Sequence, residues 1–116
     1  MMTAANIWSA VHRLTADGVN RHVPPEQLGV YKLGYLQRGT FPVYYVGRSD
    51  FDLAKRLMDH VREGRYKRFA FARVQSAEDG YDLECALWHR YYGDLDNHIH
   101  PAIPHGYRKT CLVCGE

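Results

Sequence analysis

Long apolar runs are missing from this sequence of 116 residues: none approaches the roughly 18 consecutive apolar residues that a membrane-spanning helix needs. The opening stretch from Met1 to Ala16 also lacks the basic start and continuous apolar centre of a secretory signal. Cysteine is scarce and odd in number. Cys85, Cys111 and Cys114 are the only three, and the last two stand too close together for a disulfide framework, so a reduced compartment fits best. The expectation is a cytoplasmic protein with no membrane partner. Charge of one sign is in short supply as well. A net charge of +2 does not by itself mark a nucleic-acid binder. Low-complexity tracts and internal repeats are absent, and a composition 46% hydrophobic and 24% charged is that of one ordered globular domain.

What is present is unevenly arranged. Between Arg48 and Arg73 the cations Arg48, Lys55, Arg56, Arg62, Arg65, Lys67, Arg68 and Arg73 face only Asp50, Asp52, Asp59 and Glu63, whereas Glu78 to Asp96 is acidic with Arg90 as its sole cation. Ile7, Trp8, Val11 and Leu14 recur at helical spacing, which predicts a short N-terminal helix over 6–16 stopped by Asp17-Gly18. Val23-Pro24-Pro25-Glu26 then enforces an extended connector. The segments 29–36 and 41–46 are rich in Val, Leu, Tyr and Phe and flank the turn-like Gln37-Arg38-Gly39-Thr40, which predicts an antiparallel hairpin.

A helix over 52–63 follows, capped by Ser49 or Asp50, with Leu53, Leu57 and Val61 on its apolar side, Arg56 and His60 together on another face, and Gly64 at its exit. Phe69, Phe71 and Val74 predict a third strand over 68–74. A second long helix begins at Glu78 or Asp79, places Leu83, Leu87 and Tyr91 on one stripe and Glu84 and Trp88 on the next, and ends at Gly93. The expected fold is α+β, with a three-stranded antiparallel sheet flanked by helices. It divides into an N-terminal helix and connector (1–27), a main domain (28–101) and a tail (102–116).

Six positions in order carry a resemblance: Gly29-Val30-Tyr31, Tyr45-Val46-Gly47, Arg56 and His60 on the first long helix, Glu84 on the second, and Asn97 after it. This series resembles the GIY-YIG nucleases, whose fold is a small antiparallel sheet flanked by helices. The resemblance implies a metal-dependent endonuclease that hydrolyses DNA phosphodiester bonds and leaves a 5′-phosphate and a 3′-hydroxyl. Glu84 would be the sole protein ligand of Mg²⁺ or Mn²⁺, a hard cation that keeps several waters when held by one carboxylate. Arg56 would stabilise the charge of the transition state through its planar fork. Tyr45 would activate water. A phenol with a pKa near 10 needs help at neutral pH, from a nearby cation or by passing its proton to His60. Tyr31 would position the water or phosphate, and Asn97 would orient the active-site loop or bond substrate.

Arg48, Lys55, Arg65, Lys67 and Arg68 would neutralise DNA phosphates, giving sequence-tolerant and salt-sensitive binding. Nothing beyond the nuclease core is long enough to choose targets, so intrinsic sequence specificity is expected to be low, or borrowed from a protein partner. A monomer or a homodimer is compatible. Two other functions stay open: a catalytically weak nucleic-acid-binding module, and a structure-specific nuclease subunit within a larger assembly. Separately, Cys111-Leu112-Val113-Cys114 resembles half of a zinc knuckle. His98, His100 or His105 would have to complete it, and the expected set joins Cys111 and Cys114 to His105.

Overall fold

The computed structural model describes residues 7–116. The order of elements is β1 (His12–Arg13), α1 (Ala16–His22), β2 (Gly29–Gly34), β3 (Val43–Ser49), α2 (Leu53–Glu63), β4 (Arg68–Arg73) and α3 (Ala77–Tyr91), with a 3₁₀ turn at Tyr92–Asp94. The fold is α+β. Its sheet has four strands in the order β1-β4-β2-β3, antiparallel throughout, so the expected three-stranded sheet gains an edge strand.

That strand corrects the expected N-terminal helix, whose first residue lies outside the described part of the chain. Trp8 bridges to Ala72, Ser9 N–H donates to the Phe71 carbonyl at 2.8 Å, and His12 pairs with Phe69. The apolar residues that seemed to share a helical stripe diverge: Trp8 packs on one side of the sheet with Val30 and Trp88, Leu14 on the other with Tyr31 and Phe69. The helix starts where a stop was expected. Thr15 is its N-cap, accepting from Gly18 N–H at 3.0 Å, and Asp17 sits in the first turn, where a carboxylate favours the positive end of the helix dipole. Thr-Ala-Asp-Gly is a start signal that the Asp-Gly pair disguised. Val19 and Val23 of this segment are fully or nearly buried in the same core as Tyr31, Leu53 and Leu57.

The hairpin forms as expected, closed at Gln37–Thr40 by reciprocal 2.9 Å hydrogen bonds and two left-handed residues, Arg38 and Gly39. Helix α2 takes its cap from Asp52, whose side chain accepts from Lys55 N–H at 3.2 Å, rather than from Ser49 or Asp50. Ser76 caps α3, which begins just before the expected start. The sheet buries both faces. Tyr31, Leu33, Phe69 and Phe71 meet α1 and α2 on one side, and Val30, Val43 and Val46 meet Leu87 and Trp88 of α3 on the other. No helix among the described residues is long and apolar enough to cross a membrane.

Candidate active site

Side chains alternate along a strand, so residues two apart share a face. Tyr31 pairs with Gly47 and Leu33 with Tyr45, which places the two tyrosines diagonally on one face of neighbouring strands with ring centroids 6.2 Å apart. Their glycines have a physical reason. A Cβ at position 47 would fall on the Cζ and hydroxyl of Tyr31, and one at position 29 would lie 2.6 Å from Leu53 Cδ2 and 2.7 Å from the Ala72 carbonyl. Gly47 thus leaves room for the Tyr31 ring, and Gly29 lets α2 close on the sheet.

Beyond the tyrosines, an open cleft of about 460 Å³ runs along the outer edge of β3 between α2 and α3. Tyr31, Tyr45, Arg56, Glu84 and Asn97 all line it, so five of the six expected positions converge there. His60 lies directly behind them, 2% exposed. Its Nε2 accepts a 2.8 Å hydrogen bond from the Tyr31 hydroxyl, while its Nδ1–H donates to Glu63 Oε1 at 2.7 Å. The carboxylate fixes the tautomer, since it can only accept. Burial, seconded by the charge of Arg56, pulls the His60 pKa below its ordinary 6.5 and keeps the ring neutral near pH 7.

Of the two tyrosines, the one hydrogen-bonded to His60 is not the one through which the expected relay would run. Tyr31, not Tyr45, bonds His60; Tyr45 meets the imidazole edge-on, with centroids 4.9 Å apart. Tyr31 is 1% exposed, and burial drives its hydroxyl pKa far above that of an ordinary phenol, partly countered by Arg56. A standing phenolate is thereby excluded at neutral pH. Arg56 costs something to bury, yet the hydroxyls of Tyr31 and Tyr45 raise its pKa, so its charge is secure.

On the opposite wall, Glu84 is 9% exposed and faces Arg48. Arg48 Nη1 donates to Glu84 Oε1 at 2.8 Å, Nε to Asp50 Oδ1 at 2.7 Å, and Nη2 to the Ala102 carbonyl at 2.8 Å. This corrects the role expected of Arg48: its guanidinium is committed inside the protein rather than offered to a DNA backbone. Burial raises the Glu84 carboxyl to about 7 against the opposing pull of Arg48. Lys55, Arg65 and Lys67 are exposed and Arg68 half-buried; none of the four lines the cleft.

Asn97 is tied to β3 through Val46. Its Nδ2 donates to the Val46 carbonyl at 2.9 Å and its Oδ1 accepts from Val46 N–H at 3.4 Å, so the side-chain amide imitates a peptide unit of a neighbouring strand. Trp88 Nε1 donates to the Asn97 carbonyl at 3.0 Å. Residues 97–102 thus form a strap that lines one side of the cleft. Asp96, at the start of the strap, is a second carboxylate on the cleft, accepting from the Tyr66 hydroxyl at 2.6 Å.

Sequence reasoning missed Glu63, Asp50 and Asp96. Glu63 carried a signal, because it stands three residues after His60 on one helix. Asp50 stands only two residues from its partner Arg48, whereas Asp96 had no signal, because its partner Tyr66 lies 30 residues away along the chain. The tail departs from expectation too. Cys111 and Cys114 meet His89 and His100, with the four ligand atoms within 4.8 Å of one another, a His₂Cys₂ group that could bind a metal ion such as zinc. His105 and His98 are exposed and outside that group. His89, on α3, was not foreseen as a ligand.

Compared with family models, with curated proteins and with solved structures, the chain matches none of them.

Proposed function

We propose that the cleft hydrolyses DNA phosphodiester bonds as a metal-dependent endonuclease of the GIY-YIG kind, with low intrinsic sequence specificity. The observation that carries this is the convergence of Tyr31, Tyr45, Arg56 and Glu84 on one open cleft, backed by the Tyr31–His60–Glu63 chain. These are a cationic fork for phosphate oxygens, a neutral base and a buried carboxylate, which phosphoryl hydrolysis needs together. Arg56 grips the scissile phosphate bidentately and meets the charge that builds on its oxygens.

Water is activated through Tyr31. Its oxygen takes a proton from the attacking water as its own proton passes to His60 Nε2, and Glu63 stabilises the imidazolium that results. The hydroxide bonds to phosphorus, the bond from phosphorus to the 3′-oxygen breaks, and the 3′-oxygen is protonated from solvent. The products are a 5′-phosphate and a 3′-hydroxyl. Tyr45, half-buried across from Arg56, holds the phosphate and water in line.

Glu84 is the residue that would hold Mg²⁺ or Mn²⁺. A buried carboxylate that opens on the cleft and already requires the cation Arg48 suits a hard divalent ion, which commonly uses one or two carboxylates and keeps its waters. When bound, such an ion supplies positive charge against the phosphate oxygens. Exposed Lys55, Arg65 and Lys67 would attract the duplex towards the cleft from outside.

A second function is favoured by one observation. Arg48 already neutralises Glu84, as it would in a phosphate-binding module without catalysis. Nicking of supercoiled plasmid separates the two. Wild type should nick with Mg²⁺ or with Mn²⁺ and not when both are left out, and Glu84→Gln should not nick at all. Salt-sensitive DNA binding with no nicking by folded wild type, on plasmid or on branched duplexes, would leave only the binding module.

A further inference from the structure

We propose that His89, His100, Cys111 and Cys114 form a structural zinc site that fastens the C-terminal tail to α3 and fixes the strap of residues 97–102 beside the cleft. The site is separate from Glu84, and its ion is soft-ligand zinc rather than the hard cation of the cleft.

Two of the ligand separations match the edges of a tetrahedron, and all four ligand atoms lie within 4.8 Å of one another. Bonds of about 2.3 Å to sulfur and about 2.0–2.1 Å to imidazole nitrogen, at tetrahedral angles, set sulfur and nitrogen about 3.5 Å apart. His89 Nε2 lies 3.5 Å from Cys111 Sγ, and His100 Nε2 lies 3.5 Å from Cys114 Sγ. Both histidines turn the same nitrogen to the sulfurs. His100 Nδ1–H donates to the Pro101 carbonyl at 2.9 Å, which leaves Nε2 with a free lone pair, as the outer hydrogen bond of a ligating histidine does. The tail is wound for the purpose. Val113 N–H points at Cys111 Sγ at 3.4 Å, and Gly115 N–H donates to the Cys111 carbonyl at 2.8 Å, closing the tight turn that brings both cysteines to one point.

Location gives the site its role. His89 lies in the last turn of α3, the helix that carries Glu84, and His100 belongs to the cleft lining. Trp88 packs edge-on to both imidazoles, at 5.1 and 5.3 Å between centroids, and donates to Asn97. A zinc ion there would tie the tail, α3 and the strap together where the strap has little secondary structure of its own. The metal site stands without the nuclease function; only an effect on cleavage would rest on it.

The test uses full-length protein purified under reducing conditions, loaded with zinc and dialysed into metal-free buffer. The expected result is about one zinc per chain in wild type and in His105→Gln, falling to less than about a fifth in Cys114→Ser, a change at an exposed position that folding should tolerate. Cobalt in place of zinc should give the intense visible absorption of a tetrahedral site with two sulfur ligands. Zinc far below one per chain in reduced, folded wild type, with only the weak spectrum of octahedral cobalt, would overturn the site. Hydrogen exchange tests the strap without reference to cleavage. Amides of residues 97–102 should exchange at least about tenfold faster after zinc is stripped, and unchanged exchange would overturn the strapping role.

Discussion

The two walls of the cleft are made by different means. On the α2 wall, strand pairing aligns Tyr31 with Tyr45, helical spacing aligns Arg56, His60 and Glu63, and the packing of α2 on the sheet joins Tyr31, His60 and Glu63 in a chain of hydrogen bonds ending at a carboxylate. On the α3 wall, Arg48 from β3 bonds Glu84, Asp50 from the next loop and the Ala102 carbonyl of the strap, and the whole is a cluster of opposed charges. In the proposed reaction the first wall moves a proton and the second holds a cation. The difference teaches that much of a hydrogen-bond chain can be laid out by the periods of a strand and a helix, whereas a buried charge draws its partners from anywhere that supplies the missing sign.

The largest expected effect breaks the α3 wall. Glu84→Gln keeps an acceptor for Arg48, so melting should move little, yet the charge for a divalent ion is gone. Cleavage should fall on the order of a thousandfold or more, with DNA binding retained. In wild type, affinity for the divalent ion should decline as pH drops through about 7, where the Glu84 carboxyl takes up its proton. Isothermal titration across that range checks it; a pH-independent affinity would place the ion elsewhere. Next in size, Arg56→Ala should cost on the order of a hundredfold in single-turnover rate. Arg56→Lys should recover only a small part, since an ammonium lacks the fork.

Smaller effects sharpen the contrast between the tyrosines. Tyr31→Phe strands the buried His60 Nε2 without its donor, so it should lose about 1–3 kcal/mol of stability as well as rate. Tyr45→Phe should lose rate with melting almost unchanged. Equal destabilisation by the two in denaturant titrations would contradict the assignment of the relay to Tyr31. The smallest effect is Glu63→Gln. The folded pKa of His60 lies below 6.5, so the unfolded chain binds its proton first as pH falls. Stability is complete above about 6.5 and is lost as pH falls towards the folded value. Glu63 pulls that value up, so Glu63→Gln should widen the acid window in which stability is lost, which melting at successive pH values would show.

Much of this was legible because it is local. Positions 31 and 45 on a hairpin, 56 and 60 on a helix, and the turn at Arg38-Gly39 follow from periods of two and 3.6 and from turn chemistry. The N-terminal strand was not, because Ile7, Trp8, Val11 and Leu14 suit a helix until the sheet edge along β4 claims their backbone. Arg48 looked like a surface cation until the fold supplied Glu84, which lies 36 residues away along the chain. The partnership of His89 with Cys111 spans 22 residues and crosses from a helix to a tail, beyond the reach of any spacing rule. The two-cysteine pair was visible; its histidines depended on how the strap lay.

The central claim is that both walls serve one reaction. Single-turnover cleavage of an end-labelled duplex by wild type, Tyr31→Phe, Glu84→Gln and the double variant tests it directly, with magnesium added or omitted rather than removed by a chelator that would also strip a zinc ion from the proposed tail site. The account predicts that magnesium-dependent cleavage collapses in Glu84→Gln, drops in Tyr31→Phe, and falls hardly further in the double variant, because the residues act as a unit. Losses that simply multiply, or cleavage by Glu84→Gln at the wild-type rate, would contradict it.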